Sequence, residues 1–119
     1  MSVRIGFVGC GGIANAHMTN LAKIEGAQMV GFSDIVEEKA QKAAAEYGGE
    51  AFADYREMYD SVELDAVYVC LPPFAHTDQE ILAARNGLAL FVEKPLALTM
   101  AKARQIQQAI AEAGVINCA

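Results

Sequence analysis

The feature that most constrains this chain is a rhythm: short apolar runs alternate with longer amphipathic stretches, and the first run breaks into glycine. Val3–Val8 (VRIGFV) reads as a strand and Gly9–Gly12 interrupt it. Ile13, His17, Leu21 and Ile24 then recur at helical spacing, which predicts a helix over Ile13–Ile24 with those four residues on one face. Gln28–Ser33 is a second strand, closed by Asp34. Glu37–Tyr47, rich in Ala, Glu and Lys, is a helix stopped by Gly48 and Gly49. Ala51 and Phe52 form a very short third strand, and Asp54 with Glu57 opens a short helix through Tyr59 in the manner of a capping box. Asp65–Leu71 (DAVYVCL) is almost continuously apolar, as in a strand covered on both faces, and Pro72 and Pro73 stop it. Thr77–Asn86 is a helix ended by Gly87, and Leu88–Val92 is the fifth strand. Met100–Ala113 is a helix with Thr99 as N-cap and Met100, Ala103, Ile106, Ile110 and Ala113 on its apolar face. Val115–Cys118 is a sixth strand.

Such alternation predicts an α/β fold: a doubly wound parallel sheet in three α/β/α layers, with ligands bound beyond the carboxyl ends of the strands. The 119 residues amount to one domain, without repeat, linker or low-complexity tract. The chain stops in an apolar strand, from which a fragment of a longer protein is expected.

Composition narrows the partners. Apolar residues make up 54% and charged residues 20%, which excludes a disordered chain. Nine Lys and Arg stand against fifteen Asp and Glu, a net charge of −6, so neither nucleic acid nor an anionic membrane face is an expected partner. No apolar run approaches the roughly 18–20 residues that span a bilayer, and the glycines, Asn15 and His17 do not suit a signal peptide. Cys10, Cys70 and Cys118 are far apart and form no CxxC pair, so zinc and thiol-redox readings lack support and no metal is expected. An odd count points to a reducing compartment, the cytoplasm, with each cysteine serving as a small buried hydrophobe.

Four places can carry chemistry. The first is Gly9-Cys10-Gly11-Gly12-Ile13-Ala14, a G-x-G-x-x-A between a strand and a helix. Gly9 permits a tight turn, Gly11 lets backbone approach a pyrophosphate, and Ala14 lets the helix pack close to the sheet. The amides of Gly12 and Ile13 open the helix and offer N–H groups to phosphate. The bland reading is an ordinary glycine-rich turn. The second is Asp34, 20 residues beyond Ala14, whose carboxylate suits ribose hydroxyls and repels a 2′-phosphate. Ile35 and Val36 follow it, with no Arg or Lys, which favours NAD over NADP. Asp34 also suits the N-cap of the next helix, and both roles can coexist. The third is Glu93-Lys94-Pro95 after the fifth strand, where the lysine can polarise a substrate hydroxyl or carbonyl or share proton transfer, or can simply be solvated. The fourth is Leu71-Pro72-Pro73-Phe74-Ala75-His76, whose prolines can wall a nicotinamide pocket. His76 is either a ligand contact or a polar residue at a helix start. His17 reads as a helix-packing histidine.

GCGGIA, Asp34, CLPPFAH and VEKPLALT together resemble the glucose–fructose oxidoreductase, inositol dehydrogenase and rhizopine catabolism family, Gfo/Idh/MocA, over essentially the whole chain. EKPLALT is the specific part, since GxGxxA is common to many Rossmann-type proteins. The resemblance implies the nucleotide-binding domain of an NAD- or NADP-dependent oxidoreductase acting on sugars, polyols or inositols. It implies a catalytic Lys94, with Glu93 and Pro95 beside the nicotinamide and Leu71, Pro72, Pro73 and His76 lining the cofactor cleft. The family's second domain would supply most of the substrate pocket and the homo-oligomer interface, so turnover is expected of the parent protein rather than of this chain. The rivals are a non-catalytic dinucleotide sensor and a methyltransferase using S-adenosylmethionine; neither needs Lys94.

Overall fold

The computed structural model describes residues 2–71, 75, 77–93 and 99–118. Six strands, β1 (Val3–Val8), β2 (Ala27–Ser33), β3 (Glu50–Phe52), β4 (Ala66–Val69), β5 (Ala89–Val92) and β6 (Asn117–Cys118), form one sheet in the order β3-β2-β1-β4-β5-β6. Every neighbouring pair is parallel. The helices are α1 (Gly12–Leu21), α2 (Glu37–Tyr47), α3 (Tyr55–Ser61), α4 (Gln79–Arg85) and α5 (Met100–Ala113). The chain winds outward from β1 through β2 to β3, then returns across β1 to lay down β4, β5 and β6. This reversal between β1 and β4 opens a crevice at the carboxyl edge of the sheet.

Strand alternation divides the core in two. Ile5 and Phe7 of β1 face α1 and α2, where they pack with Ala14, Met18, Ala40 and Ala43. Val8, Val67, Val69, Leu90 and Val92 face the other way and pack with Met58 of α3, Ala83 and Ala84 of α4 and Ala109 of α5. The β1–β2 register shifts between Ile5 and Gly6, so Met29 and Phe32, three apart, both reach the α1–α2 side. The doubly wound, three-layer fold expected from the sequence is the one present.

The details differ in instructive ways. α1 is shorter than Ile13–Ile24, because Ile24 N bonds Leu21 O in a tightened last turn. Its buried face is Ala14, Met18 and Leu21; Ile13 is 52% exposed and Ile24 54%. Ala14, with no exposure, sets the rotation by letting the helix sit close on the sheet, which turns Ile13 outward. α4 begins at Gln79 rather than Thr77, because the Gln79 side chain accepts from Thr77 N at 2.7 Å and donates to Ala75 O at 3.0 Å, building a turn there instead. α5 has its expected limits and its Thr99 cap, with Thr99 Oγ1 accepting from Lys102 N. Its buried residues are Ile106 and Ala109, while Met100 and Ala113 are exposed. Asp54 caps α3 by accepting from Arg56 N. Cys10 and Cys70 are buried and Cys118 is exposed, so the third cysteine is not the core residue expected of it; it lies on the two-residue edge strand β6.

Candidate dinucleotide-binding site

The crevice is assembled from the residues that leave each strand: Gly9 after β1, Asp34 after β2, Ala53 and Tyr55 after β3, Leu71 after β4 and Glu93 after β5. Gly9 has φ +94°, and a Cβ there would sit 2.3 Å from Cys70 O and 3.1 Å from Leu71 Cδ2. Its N–H donates to Ser33 O at 2.8 Å. Backbone packing therefore demands glycine at this turn.

Gly11 and Gly12 are different. Gly11 has φ −83°, open to any residue, and a Cβ on either glycine would meet no atom of the described residues within 4 Å. Nothing among the described residues requires them to be glycine. Asn15 N bonds Gly11 O, the first bond of the helix, so the amides of Gly12, Ile13 and Ala14 have no carbonyl partner inside it. That turn carries neither an acidic side chain nor a side-chain cap. Asn15 Nδ2 also donates to Gly11 O at 2.8 Å and Cys10 O at 3.4 Å, holding those carbonyls back. The result is a helix end with N–H groups outside the helix ladder and the positive end of the dipole, the kind of end that receives anions.

Asp34 is half-buried and joins this turn to β2. Its Oδ2 accepts from Cys10 N at 2.8 Å and its Oδ1 from Val36 N at 2.8 Å. Each carboxylate oxygen keeps a further acceptor site for a ligand hydroxyl. The N-cap of α2 is Val36, so the N-cap role suggested for Asp34 is not what the carboxylate does; it closes an Asx turn instead. Beside it a cleft of ≈ 100 Å³ is lined by Gly9, Asp34, Ile35, Tyr55, Leu71 and Gln79 among others. Ile35 is 94% exposed and offers an apolar face at its mouth. Tyr55 donates to the Asp78 carboxylate, which Arg56 also holds, tying α3 to the start of α4. Burial, aided by that carboxylate, pushes the Tyr55 phenol up to about 12. Burial likewise pushes the Cys10 and Cys70 thiols up to about 12, helped by the negative charge of Asp34 at Cys10 and of Glu93 at Cys70. Neither thiol is a nucleophile at neutral pH.

Two features escaped the sequence reading. Lys39 and Lys42, on the first and second turns of α2, line a recess with Cys10, Gly11, Gly12 and Asn15. The lack of Arg or Lys directly after Asp34 therefore does not leave the cradle without cations; helix geometry returns the lysines to it from five and eight residues on. His17 does pack as a helix histidine, against Tyr68 and Phe91, but it also reaches Glu93, with Nε2 2.7 Å from Oε2.

The structure thus brings Gly9, Gly11, Gly12, Ile13, Ala14, Asp34, Leu71 and Glu93 to one edge. Pro72, Pro73, His76, Lys94 and Pro95 lie outside the described residues. Among the described residues no group of three His, Cys, Asp or Glu is placed to hold a metal, and no helix is long and apolar enough to cross a membrane.

The relatives agree with this geometry. Residues 3–119 match the Gfo/Idh/MocA family model, described as an oxidoreductase family with an NAD-binding Rossmann fold. The chain is 34% identical over 116 residues to scyllo-inositol 2-dehydrogenase (NAD(+)) of Bacillus subtilis, covering 96% of this chain and 34% of that protein. It is 34% identical over 100 residues to glucose-6-phosphate 3-dehydrogenase of the same organism, covering 84% and 28%. Scyllo-inositol dehydrogenase from Lactobacillus casei, solved with NAD(H) and scyllo-inositol, superposes with a TM-score of 0.91 at 30% identity, over 99% of this chain and 36% of that one. The WlbA dehydrogenase from Bordetella pertussis, solved with NADH and UDP-GlcNAcA, gives 0.91 at 30% identity, over 98% and 36%. The chain spans about a third of the length of these relatives. A strand–GCGGIA–helix turn with an open phosphate cradle, set in this sheet order and matched by the family model from end to end, makes the chain a member of the Gfo/Idh/MocA oxidoreductase family, corresponding to its NAD-binding Rossmann-fold domain.

Proposed function

We propose that this chain binds NAD(H) across its carboxyl edge as part of a dehydrogenase that moves hydride between the nicotinamide and a sugar, polyol or inositol. The observation that carries the reading is the pair of glycines, Gly11 and Gly12, at the first turn of α1, required by no contact among the described residues and joined to the Asp34 carboxylate through Cys10 N. In this reading the amides of Gly12, Ile13 and Ala14 receive the pyrophosphate, and Lys39 and Lys42 add positive charge beside it. Asp34 accepts from the adenosine ribose hydroxyls, and its charge disfavours a 2′-phosphate. Ile35 and Leu71 line the cleft and Glu93, after β5, belongs to its nicotinamide end, while Pro72, Pro73, His76 and Pro95 are assigned to the cofactor by the family resemblance. The bound nicotinamide supplies the hydride chemistry. Lys94, in the EKP segment, holds or moves the proton of the reacting hydroxyl. A second domain completes the substrate pocket and the homo-oligomer interface, and an odd number of cysteines with no CxxC pair suits a cytoplasmic protein.

A thermal-shift titration with NADH and NADPH tests the cofactor half. At a hundredfold excess over Kd, NADH should add about 2.7 kcal/mol, roughly 10 °C for a chain of this size, and NADPH markedly less. Equal or greater stabilisation by NADPH contradicts the role given to Asp34. No shift with either contradicts dinucleotide binding.

A further inference from the structure

Glu93 is held twice. Its N–H donates to Val69 O at 2.9 Å, which fixes its backbone to β4, and its carboxylate meets His17 Nε2 at 2.7 Å, which fixes its side chain to α1. The two residues are 76 apart in sequence. His17 is itself clamped. Its ring stands 5.5 Å from Tyr68 and 5.0 Å, edge-on, from Phe91. Those two rings stack at 4.6 Å, and Tyr68 stacks on Phe7 at 5.0 Å. The imidazole is therefore seated on a ladder of aromatic rings crossing the sheet, and both members of the pair are mostly shielded from water, with side chains 25% and 20% exposed. In that setting a hydrogen bond to a carboxylate is strong and directional, and it requires the imidazole proton on Nε2.

The position of this bond gives it a purpose beyond packing. His17 sits on α1, whose first turn is the phosphate cradle, and Glu93 is the residue that leads into Lys94. We propose that His17 is a positioning residue for the nicotinamide end of the site: through Glu93 it ties the chain entering Lys94 to the same rigid helix that receives the pyrophosphate. This rests on the dinucleotide reading and specifies how the two ends of one ligand are kept in register. A histidine that only filled space between α1 and β5 would be replaced without loss by another ring.

The test compares NADH with ADP-ribose, which lacks the nicotinamide, by calorimetric titration of the chain. The wild type is expected to bind NADH about tenfold or more tightly than ADP-ribose. His17→Phe keeps a ring against Tyr68 and Phe91 but loses the bond. It should bring that ratio close to one while leaving ADP-ribose affinity within about twofold, since loss of one carboxylate hydrogen bond is worth about tenfold or more. His17→Gln, whose amide nitrogen falls near the Nε2 position, should recover most of the ratio. In a Glu93→Ala background His17→Phe should change nothing further. A His17→Phe variant with the wild-type ratio overturns the proposal, as does an equal loss for both ligands, which marks a packing residue only. A wild-type ratio near one overturns it too. Failure of the wild type to bind either ligand overturns the dinucleotide reading itself and is distinguished by that absence.

Discussion

Gly9 and Gly11 stand two residues apart and are glycine for different reasons. At Gly9 a side chain would meet Cys70 O at 2.3 Å on a backbone already at φ +94°. Gly9→Ala should cost about 2 kcal/mol or more of stability, read as a fall in Tm or in the denaturant midpoint. At Gly11 a methyl group meets nothing and the dihedral is permitted, so Gly11→Ala should stay within about 1 kcal/mol of the wild type. Its methyl would lie where the pyrophosphate is proposed to sit, and NADH affinity should fall about tenfold or more. A Gly11→Ala variant that binds NADH normally would remove the cradle from the account. These residues were legible in the sequence because their chemistry is local: a turn, a helix start and a carboxylate 20 residues on. The His17–Glu93 bond was not, because nothing in a one-dimensional pattern pairs residues 76 positions apart. Lys39 and Lys42 were missed for a smaller reason, since only the orientation of α2 against the glycine turn brings them back to it.

Among elements, the helices whose ends are fixed by local signals came out where the sequence put them. α2 stops at Gly48, in the left-handed region at φ 85°, and α5 runs from the Thr99 cap to Gly114 at φ 67°. The rotation of α1 did not come out so, because packing of Ala14 against the sheet outweighs the period of the larger apolar side chains. At the opposite, amino edge of the sheet one residue joins three strands. Asp65 O accepts from Ala89 N at the start of β5, Asp65 N donates to Arg4 O in β1, and the Asp65 carboxylate accepts from Arg4 N at 2.9 Å and from the Arg4 guanidinium. Those bonds from Arg4 hold the Asp65 carboxyl below its ordinary value. Its folded pKa is thus lower than its unfolded one, so the stabilisation is complete above about pH 4 and is lost as pH falls through the folded value. Asp65→Asn should lower Tm at pH 7, and the gap from wild type should close as pH drops below the usual carboxylate range. A gap that persists undiminished at pH 2 would show that charge is not what Asp65 contributes.

At the scale of the whole molecule, the order β3-β2-β1-β4-β5-β6 does what no single element can: it reverses direction beside β1 and so gathers Gly9, Asp34, Leu71 and Glu93 along one crevice. The alternation of apolar runs made this parallel, doubly wound architecture legible, since crossovers of one hand leave few ways to stack such units. The aromatic ladder from Phe7 through Tyr68 and Phe91 to His17 was invisible until the strand register was known, because each ring comes from a different strand or helix. The proposed ligand lies along this edge, with phosphates at α1, adenosine toward Asp34 and nicotinamide toward Glu93. The most direct test is a ¹H–¹⁵N NMR titration of the chain with NADH. The expected result is amide shifts concentrated at Cys10–Ala14, at Asp34–Val36 and at Glu93, with the groove between α5 and β6, lined by Ala103, Ile106, Ile110 and Asn117, unmoved. Shifts confined to that distant groove, or none at saturating NADH, would contradict the account.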